Sequence, residues 1–327
     1  MRRLVFVVFL LGLFGGLAAA GALAYGIYGP GPAAPETLAE TTAETTTVLL
    51  ERGSGPRDIA QTLKDAGLVR NPNLFLIAVK ALGASRDLKA GEYDIAYGSS
   101  LRDVIAILRN GRSVLRKITV PEGVTSAQIV RLLTENEMLV GELPDALPEG
   151  VLHPETYHFA RGTERQDLIE RMRSAQTAIL DEAWANRAQG LPIATKEEAL
   201  VLASIVEKET GVAEERPLVA AVFINRLRKG MRLQSDPTII YGITGGEPLG
   251  RGIRRSEIDR KTAYNTYQID GLPPTPIANP GKAAIEAVLN PPSTTDFYFV
   301  ADGTGGHVFA QTLAQHQKNV ANWRKIE

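Results

Sequence analysis

The chain has 327 residues, 44% of them hydrophobic, enough for two or three domains and a sizeable core. Its 36 Lys and Arg nearly balance 37 Asp and Glu, which gives no electrostatic reason to expect nucleic acid. The absence of cysteine excludes thiolate chemistry, disulfides and cysteine-held metal. Of the four histidines only His153 and His158 are close in sequence, and they make a weak zinc case.

Met1-Arg2-Arg3 precede residues 4–28, which carry no charge. As a helix this stretch is about 37 Å long, more than the roughly 30 Å of a hydrocarbon core. Two arginines lie before it, and Glu36, Glu40 and Glu44 after it. The positive-inside rule then leaves the N-terminus in the cytoplasm and the rest across the inner (cytoplasmic) membrane. A cleaved signal peptide ending near Ala18-Ala19-Ala20 is the competing reading; the length favours an uncleaved single-pass anchor. Residues 29–46, rich in Pro, Thr and Glu, read as a flexible linker holding the globular part just off the membrane.

Short elements follow: a strand at 47–50, helices at 57–66 and 71–82, a strand at 90–96 and a helix at 100–109 closed by Gly111. Val48-Leu49-Leu50-Glu51-Arg52-Gly53 lines up with Ile118-Thr119-Val120-Pro121-Glu122-Gly123, placing Ile59 on Ile129 and Leu63 on Leu133. Residues 99–108 look like a partial third copy. Such strand, turn and helix units resemble LysM-like modules, which bind N-acetylglucosamine polymers; a plain scaffold is the equal alternative. Residues 47–140 are therefore expected to be LysM-like small α/β modules, and residues 141–327 a mixed α+β domain.

In that second domain Thr163-x-x-Gln166 is expected to cap a long helix, and Thr195 with Glu198 forms a capping-box spacing. The helix after Thr195 is apolar on most of its circumference, which predicts burial. Leu200, Ala203, Ser204 and Glu207 fall on one stripe; Glu209 lies about 200° round from Glu207. A carboxyl group in apolar surroundings has its pKa raised, which is how a general acid stays protonated near neutral pH. The bland alternative, a solvated or paired Glu at a helix end, is the commoner case. A helix at 217–229 follows, then a polar loop leading into an apolar turn at 233–241. Residues 244–260 read as a surface excursion and 264–281 as a long irregular loop. A helix at 282–289, a buried strand at 296–301, a hairpin turn at 303–306 and a terminal helix at 312–325 complete the chain.

Several pieces, in this order and spacing, resemble the YceG-like (MltG) family of membrane-anchored endolytic murein transglycosylases. They are Ser204-Ile205-Val206-Glu207-Lys208-Glu209, Phe223-Ile224-Asn225-Arg226-Leu227, Leu233-Gln234-Ser235-Asp236-Pro237-Thr238, Tyr264-Asn265-Thr266-Tyr267, Gly271-Leu272-Pro273-Pro274, Asn279-Pro280-Gly281 and Tyr298-Phe299-Val300-Ala301. Two small departures stand out: Glu155 where the family more often has Asp, and Gln317 where Asn is more usual. The resemblance implies a lyase that cleaves the β-1,4 bond between N-acetylmuramic acid and N-acetylglucosamine, leaving a 1,6-anhydro end. It implies no cofactor and no metal, peptidoglycan strands as substrate, and peptidoglycan synthases as a further partner.

By motif match the acid is Glu207, and Glu209 is read as structural or as a partner to Arg226 or Arg232. Asn225, Gln234, Asp236, Asn265 and Tyr267 are the candidates for lining the cleft: amides suit N-acetyl and hydroxyl groups, and tyrosines stack on sugars. Loop-bracing is the alternative for each, and His307 is expected to brace a turn. Two other functional readings stand against the lyase. One is a non-catalytic, membrane-anchored glycan-binding scaffold. The other is hydrolysis with Glu207 as acid and Asp236 as base.

Overall fold

The computed structural model describes residues 2–34, 44–111, 113–144 and 146–325. The architecture is mixed α+β and divides into two units, one of residues 1–116 with 158–162, the other of residues 117–157 with 163–327. Each unit has its own hydrophobic core. The division falls after Arg116, so the strand-turn-helix at 118–133 groups with the second unit.

The first unit opens with α1 (Arg2–Tyr28), whose Phe9–Tyr28 portion is long and apolar enough to cross a membrane. Then come β1 (Thr45–Leu50), α2 (Pro56–Asp65), α3 (Pro72–Ala81), β2 (Gly91–Ala96) and α4 (Leu101–Asn110). β1 and β2 pair antiparallel over their whole length, Val48 opposite Tyr93. The helix starts are those that the sequence dictates: Asn71 accepts from Asn73 N at 2.9 Å and Pro72 takes the first helical position. Gly111 closes α4 at φ 65°, a conformation that costs a residue with a Cβ. The internal similarity is carried by core positions. Val48, Leu50, Ile59 and Leu63 in one copy, and Ile118, Val120, Ile129 and Leu133 in the other, are all buried.

The expected linker is only partly observed. Residues 35–43 of it lie outside the described residues, but residues 29–32 are bonded to the first unit. Gly31 N donates to Gly98 O at 3.0 Å and Gly98 N to Pro32 O at 2.7 Å.

The chain continues through β3 (Leu115–Thr119), α5 (Ser126–Thr134), β4 (Leu139–Val140), β5 (Thr156–Ala160), β6 (Thr163–Glu164) and α6 (Arg165–Ala185). The strand pairings are β3 with β5 and, in parallel, β4 with β6. Thr163 is not the cap of α6 as expected: it sits in β6 opposite Leu139, and the helix begins two residues later. Then follow α7 (Lys196–Glu209), α8 (Arg216–Arg228), α9 (Asp236–Thr244), α10 (Arg255–Ile258), α11 (Lys282–Leu289), β7 (Tyr298–Ala301), β8 (His307–Ala310) and α12 (Leu313–Trp323). Helix α9 replaces the expected loop and turn at 233–241: Pro237 lies in the first turn, where its missing N–H costs nothing, and Ser235 holds the N-cap position without a side-chain cap bond. β7 and β8 form the expected antiparallel hairpin, but β7 is half-buried at all four positions rather than buried.

Helix α7 is the axis of the second core. Ala199 to Val206 are buried without a break, packed with side chains of α6, α8 and α11. Thr195 Oγ1 accepts from Glu198 N at 3.2 Å, while the Glu198 carboxylate accepts from Ala194 N, one residue before the expected box position.

Candidate active site

Two carboxylates leave the last turn of α7 into different surroundings. Glu207 meets the loop before α11. Its Oε2 accepts from Gly281 N at 2.9 Å, and its Oε1 from Arg216 Nη2 at 3.4 Å. Arg216, itself buried, also lies 3.6 Å from Glu122 Oε2. The Glu207 side chain is 4% exposed. Burial raises its pKa; the Gly281 N–H counters this, Glu122 adds to the rise, and Arg216 and Lys208 oppose it. The neighbouring Lys208 Nζ donates to Gly123 O at 3.1 Å.

The loop holding Gly281 is fixed independently. Ser204 Oγ donates to Val201 O and accepts from Ile277 N at 3.0 Å, so the stripe of α7 that carries Glu207 also pins this loop. Asn279 is fully buried. Its Oδ1 accepts from Leu152 N at 3.0 Å, and its Nδ2 donates to Val124 O and Ser126 Oγ, both at 3.1 Å.

Glu209 has no ion pair within 4 Å among the described residues. Burial pushes its carboxyl up to about 7. The nearby Ser235 hydroxyl, buried and with no hydrogen-bond partner among the described residues, offsets part of the rise; Asp236 adds to it; His307 and Arg226 oppose it. Asp236 Oδ1 accepts from Tyr267 Oη at 2.7 Å, and burial with that bond holds Tyr267 a neutral phenol. Arg226 Nε donates to Phe297 O at 2.7 Å, its Nη1 to Leu233 O at 2.6 Å, and the guanidinium lies under the Tyr298 ring. His307 Nδ1 is 2.7 Å from Glu215 Oε2, and its backbone N donates to Glu215 Oε1 at 2.8 Å, bracing the β7–β8 turn.

The residues expected to line a cleft divide accordingly. Asp236 and Tyr267 gather with Glu209. Gln234 is exposed beside them at φ 51°, the left-handed region, where a non-glycine residue stores about 1–3 kcal/mol. Asn225 spends its amide on Thr294 O and Asp296 O at 2.8 and 3.1 Å. Asn265, 1% exposed, donates to Glu257 O, Ile258 O and Arg260 O. Both have the loop-bracing role. Arg232 pairs with Asp270 at 3.0 Å and is not a partner of Glu209. The sequence does not single out Ser235 and points to a supporting role for Glu209. Their signal was the Ser-Asp-Pro helix start following the Glu-Lys-Glu end of α7.

The elevated Glu209 pKa has a stability consequence. Its folded value, about 7, exceeds an ordinary 4.5. The native state therefore holds the proton more tightly than the unfolded chain. Stability from this group is fully present below about 4.5 and lost as pH rises through about 7. The gap corresponds to roughly 3 kcal/mol at most. Urea midpoints across this window are expected to fall with pH in the wild type and to lose most of that slope in Glu209→Gln.

The chain is similar to known proteins over most of its length. A family model described as the YceG-like family matches residues 48–322. A protein named endolytic murein transglycosylase from Bacillus subtilis strain 168 is 31% identical over 316 residues, covering 86% of each chain. One of the same name from Streptococcus pneumoniae D39 is 33% identical over 84% of this chain. This chain spans 58% of the length of that pneumococcal relative. A crystal structure of a yceG-like protein from Listeria monocytogenes superposes with a TM-score of 0.54 at 28% identity, covering 84% of this chain and 98% of that one.

Proposed function

Because the chain belongs to the YceG-like family, we propose that it is an endolytic murein transglycosylase whose acid lies at the end of α7. The substrate is the β-1,4 bond between N-acetylmuramic acid and N-acetylglucosamine within a glycan strand. The observation that carries the assignment is the buried Glu209 carboxyl, without an ion pair among the described residues and pushed up to about 7, beside Asp236 and Tyr267. We assign the proton donor to Glu209 rather than to Glu207, the candidate from the motif, since Arg216 and Gly281 already engage the Glu207 carboxylate.

A single carboxyl suffices for the lyase. Glu209 gives its proton to the glycosidic oxygen as the C1–O bond breaks and positive charge develops at C1. The C6 hydroxyl then closes onto C1, and its proton returns to the Glu209 carboxylate. The acid is regenerated without water, metal or cofactor. A pKa near the working pH favours both transfers. The carboxylate of Asp236, with its charge felt at Glu209, stabilises the oxocarbenium-like state. The strained Gln234 offers its exposed amide to a sugar N-acetyl group.

The remaining parts fit this chemistry. α1 is the single-pass anchor in the inner membrane, N-terminus in the cytoplasm, with the rest on the wall side. β1–α2–α3–β2 is a LysM-like module for glycan, and peptidoglycan synthases are the partners whose product would be cut. The nearness of Asp236 to Glu209 also favours a second reading, hydrolysis with Asp236 activating a water. Digestion of purified peptidoglycan with mass identification of products separates the two. Anhydro ends support the lyase, reducing ends the hydrolase. Glycan binding without cleavage by folded, membrane-reconstituted protein would leave a scaffold.

A further inference from the structure

The end of α1 is built into the first unit. Ile27, only 5% exposed, belongs to the same core as Leu68, Phe75 and Leu101. Leu74 of α3 packs so closely on Gly26 that a Cβ there would lie 2.8 Å from Leu74 Cδ2. Beyond the helix, Gly31 and Pro32 are each joined to Gly98 by one of the two backbone bonds described above. A Cβ on Gly31 would fall 2.2 Å from the backbone oxygen of Ser99, so no other residue fits without moving that turn. Arg70 Nη2 donates to Gly31 O at 3.3 Å, and the Arg102 guanidinium lies 5.8 Å from the Tyr28 ring centre.

These contacts fix a depth. Gly26 and Ile27 are inside the apolar Phe9–Tyr28 stretch. Whatever touches them is level with the last turn of the span, and α3 touches them through Leu74. Tyr25 and Tyr28 are 69% and 57% exposed at that same level, where tyrosines favour the boundary between hydrocarbon and headgroups. Arg70 and Arg102, both exposed and both in contact with this same segment, then fall near the height of the lipid phosphates.

We propose that residues 25–32 form a rigid joint that seats the α3 and α4 starts of the first unit on the bilayer, with an anionic phospholipid surface as the partner that Arg70 and Arg102 fit. The proposal rests on α1 being an uncleaved span. It replaces the flexible tether expected from composition with a fixed attachment over residues 29–32.

The natural absence of cysteine makes the test clean. The full chain carrying Asn73→Cys, in the exposed first turn of α3, is labelled with a fluorophore. It is reconstituted into phosphatidylcholine vesicles with or without phosphatidylglycerol, each containing a headgroup-nitroxide lipid. The label is expected to be quenched, more strongly with phosphatidylglycerol. Arg70→Ala with Arg102→Ala should remove the phosphatidylglycerol dependence, and Gly31→Val should cut quenching roughly twofold or more. An inserted, full-length chain whose label is unquenched overturns the joint alone. Quenching unchanged by Gly31→Val and by the double arginine variant overturns it too. Loss of the first residues, seen by intact mass after isolation from membranes, would overturn the span and the joint with it.

Discussion

Glu209→Gln is expected to lower the release of anhydro-ended fragments by about 10²–10⁴-fold, the usual contribution of a positioned general acid. Glutamine keeps the size and hydrogen-bonding reach of the side chain but carries no transferable proton. Glu207→Gln is expected to cost much less, since its oxygen can still accept from Gly281 N; what it loses is the charge opposite Arg216. That variant should show its effect in stability, because the guanidinium remains buried with Glu122 as its one remaining ion-pair partner among the described residues. The pH profile supplies an independent check. Glu209 must be protonated to act, and its carboxyl titrates at about 7. kcat/KM of the wild type should therefore be sustained below neutrality and fall as pH rises through about 7. Residual activity of Glu209→Gln should lack this limb. If Glu207→Gln abolishes cleavage while Glu209→Gln retains both rate and limb, the acid is Glu207 and the motif-based reading stands.

The reason these two glutamates could not be told apart in the sequence is physical. Helical periodicity finds a site when one face is apolar and the other wet. Helix α7 is buried all round from Ala199 to Val206, so a residue's place on the wheel says nothing about which direction is special. The discrimination comes from partners distant in the chain: Gly281 and Arg216 for Glu207, Ser235, Asp236 and His307 for Glu209. Local signals did better. Asn71-Pro72, Thr195 and Thr312 mark helix starts that the structure has, since a cap bonds within its own turn. The paired core positions at 48–63 and 118–133 were legible because each unit buries the same face. Composition misled at residues 29–32. Two glycines and two prolines read as a spacer, yet the glycine at 31 is there because a backbone oxygen leaves no room for a side chain. Amide residues were ambiguous for a similar reason: Asn225 and Asn265 suit sugars and backbone carbonyls equally, and only the fold assigns them to carbonyls.

Arg226→Met should cost about 3 kcal/mol in stability and also shift the active-site titration, two effects that a second substitution separates. Arg226 is 6% exposed, and its guanidinium serves Phe297 O and Leu233 O, tying the strand β7 entry and the α9 approach to α8. Methionine fills much of the volume but leaves those buried carbonyls without their donor, at about 1–3 kcal/mol for each group so exposed. The positive charge also holds down the Glu209 pKa, and the Glu209 charge in turn opposes the lowering that burial imposes on Arg226. Removing it should move the alkaline fall of kcat/KM to higher pH, because the ionised form of Glu209 loses a favourable neighbour. Arg226→Lys keeps the charge without the planar fork. It should retain most of the wild-type pH limb yet recover only part of the lost stability, measured by urea unfolding, with kinetics taken well below each variant's midpoint. An unmoved limb in Arg226→Met, with stability lost as expected, would limit Arg226 to holding the two loops and remove its electrostatic hold on Glu209.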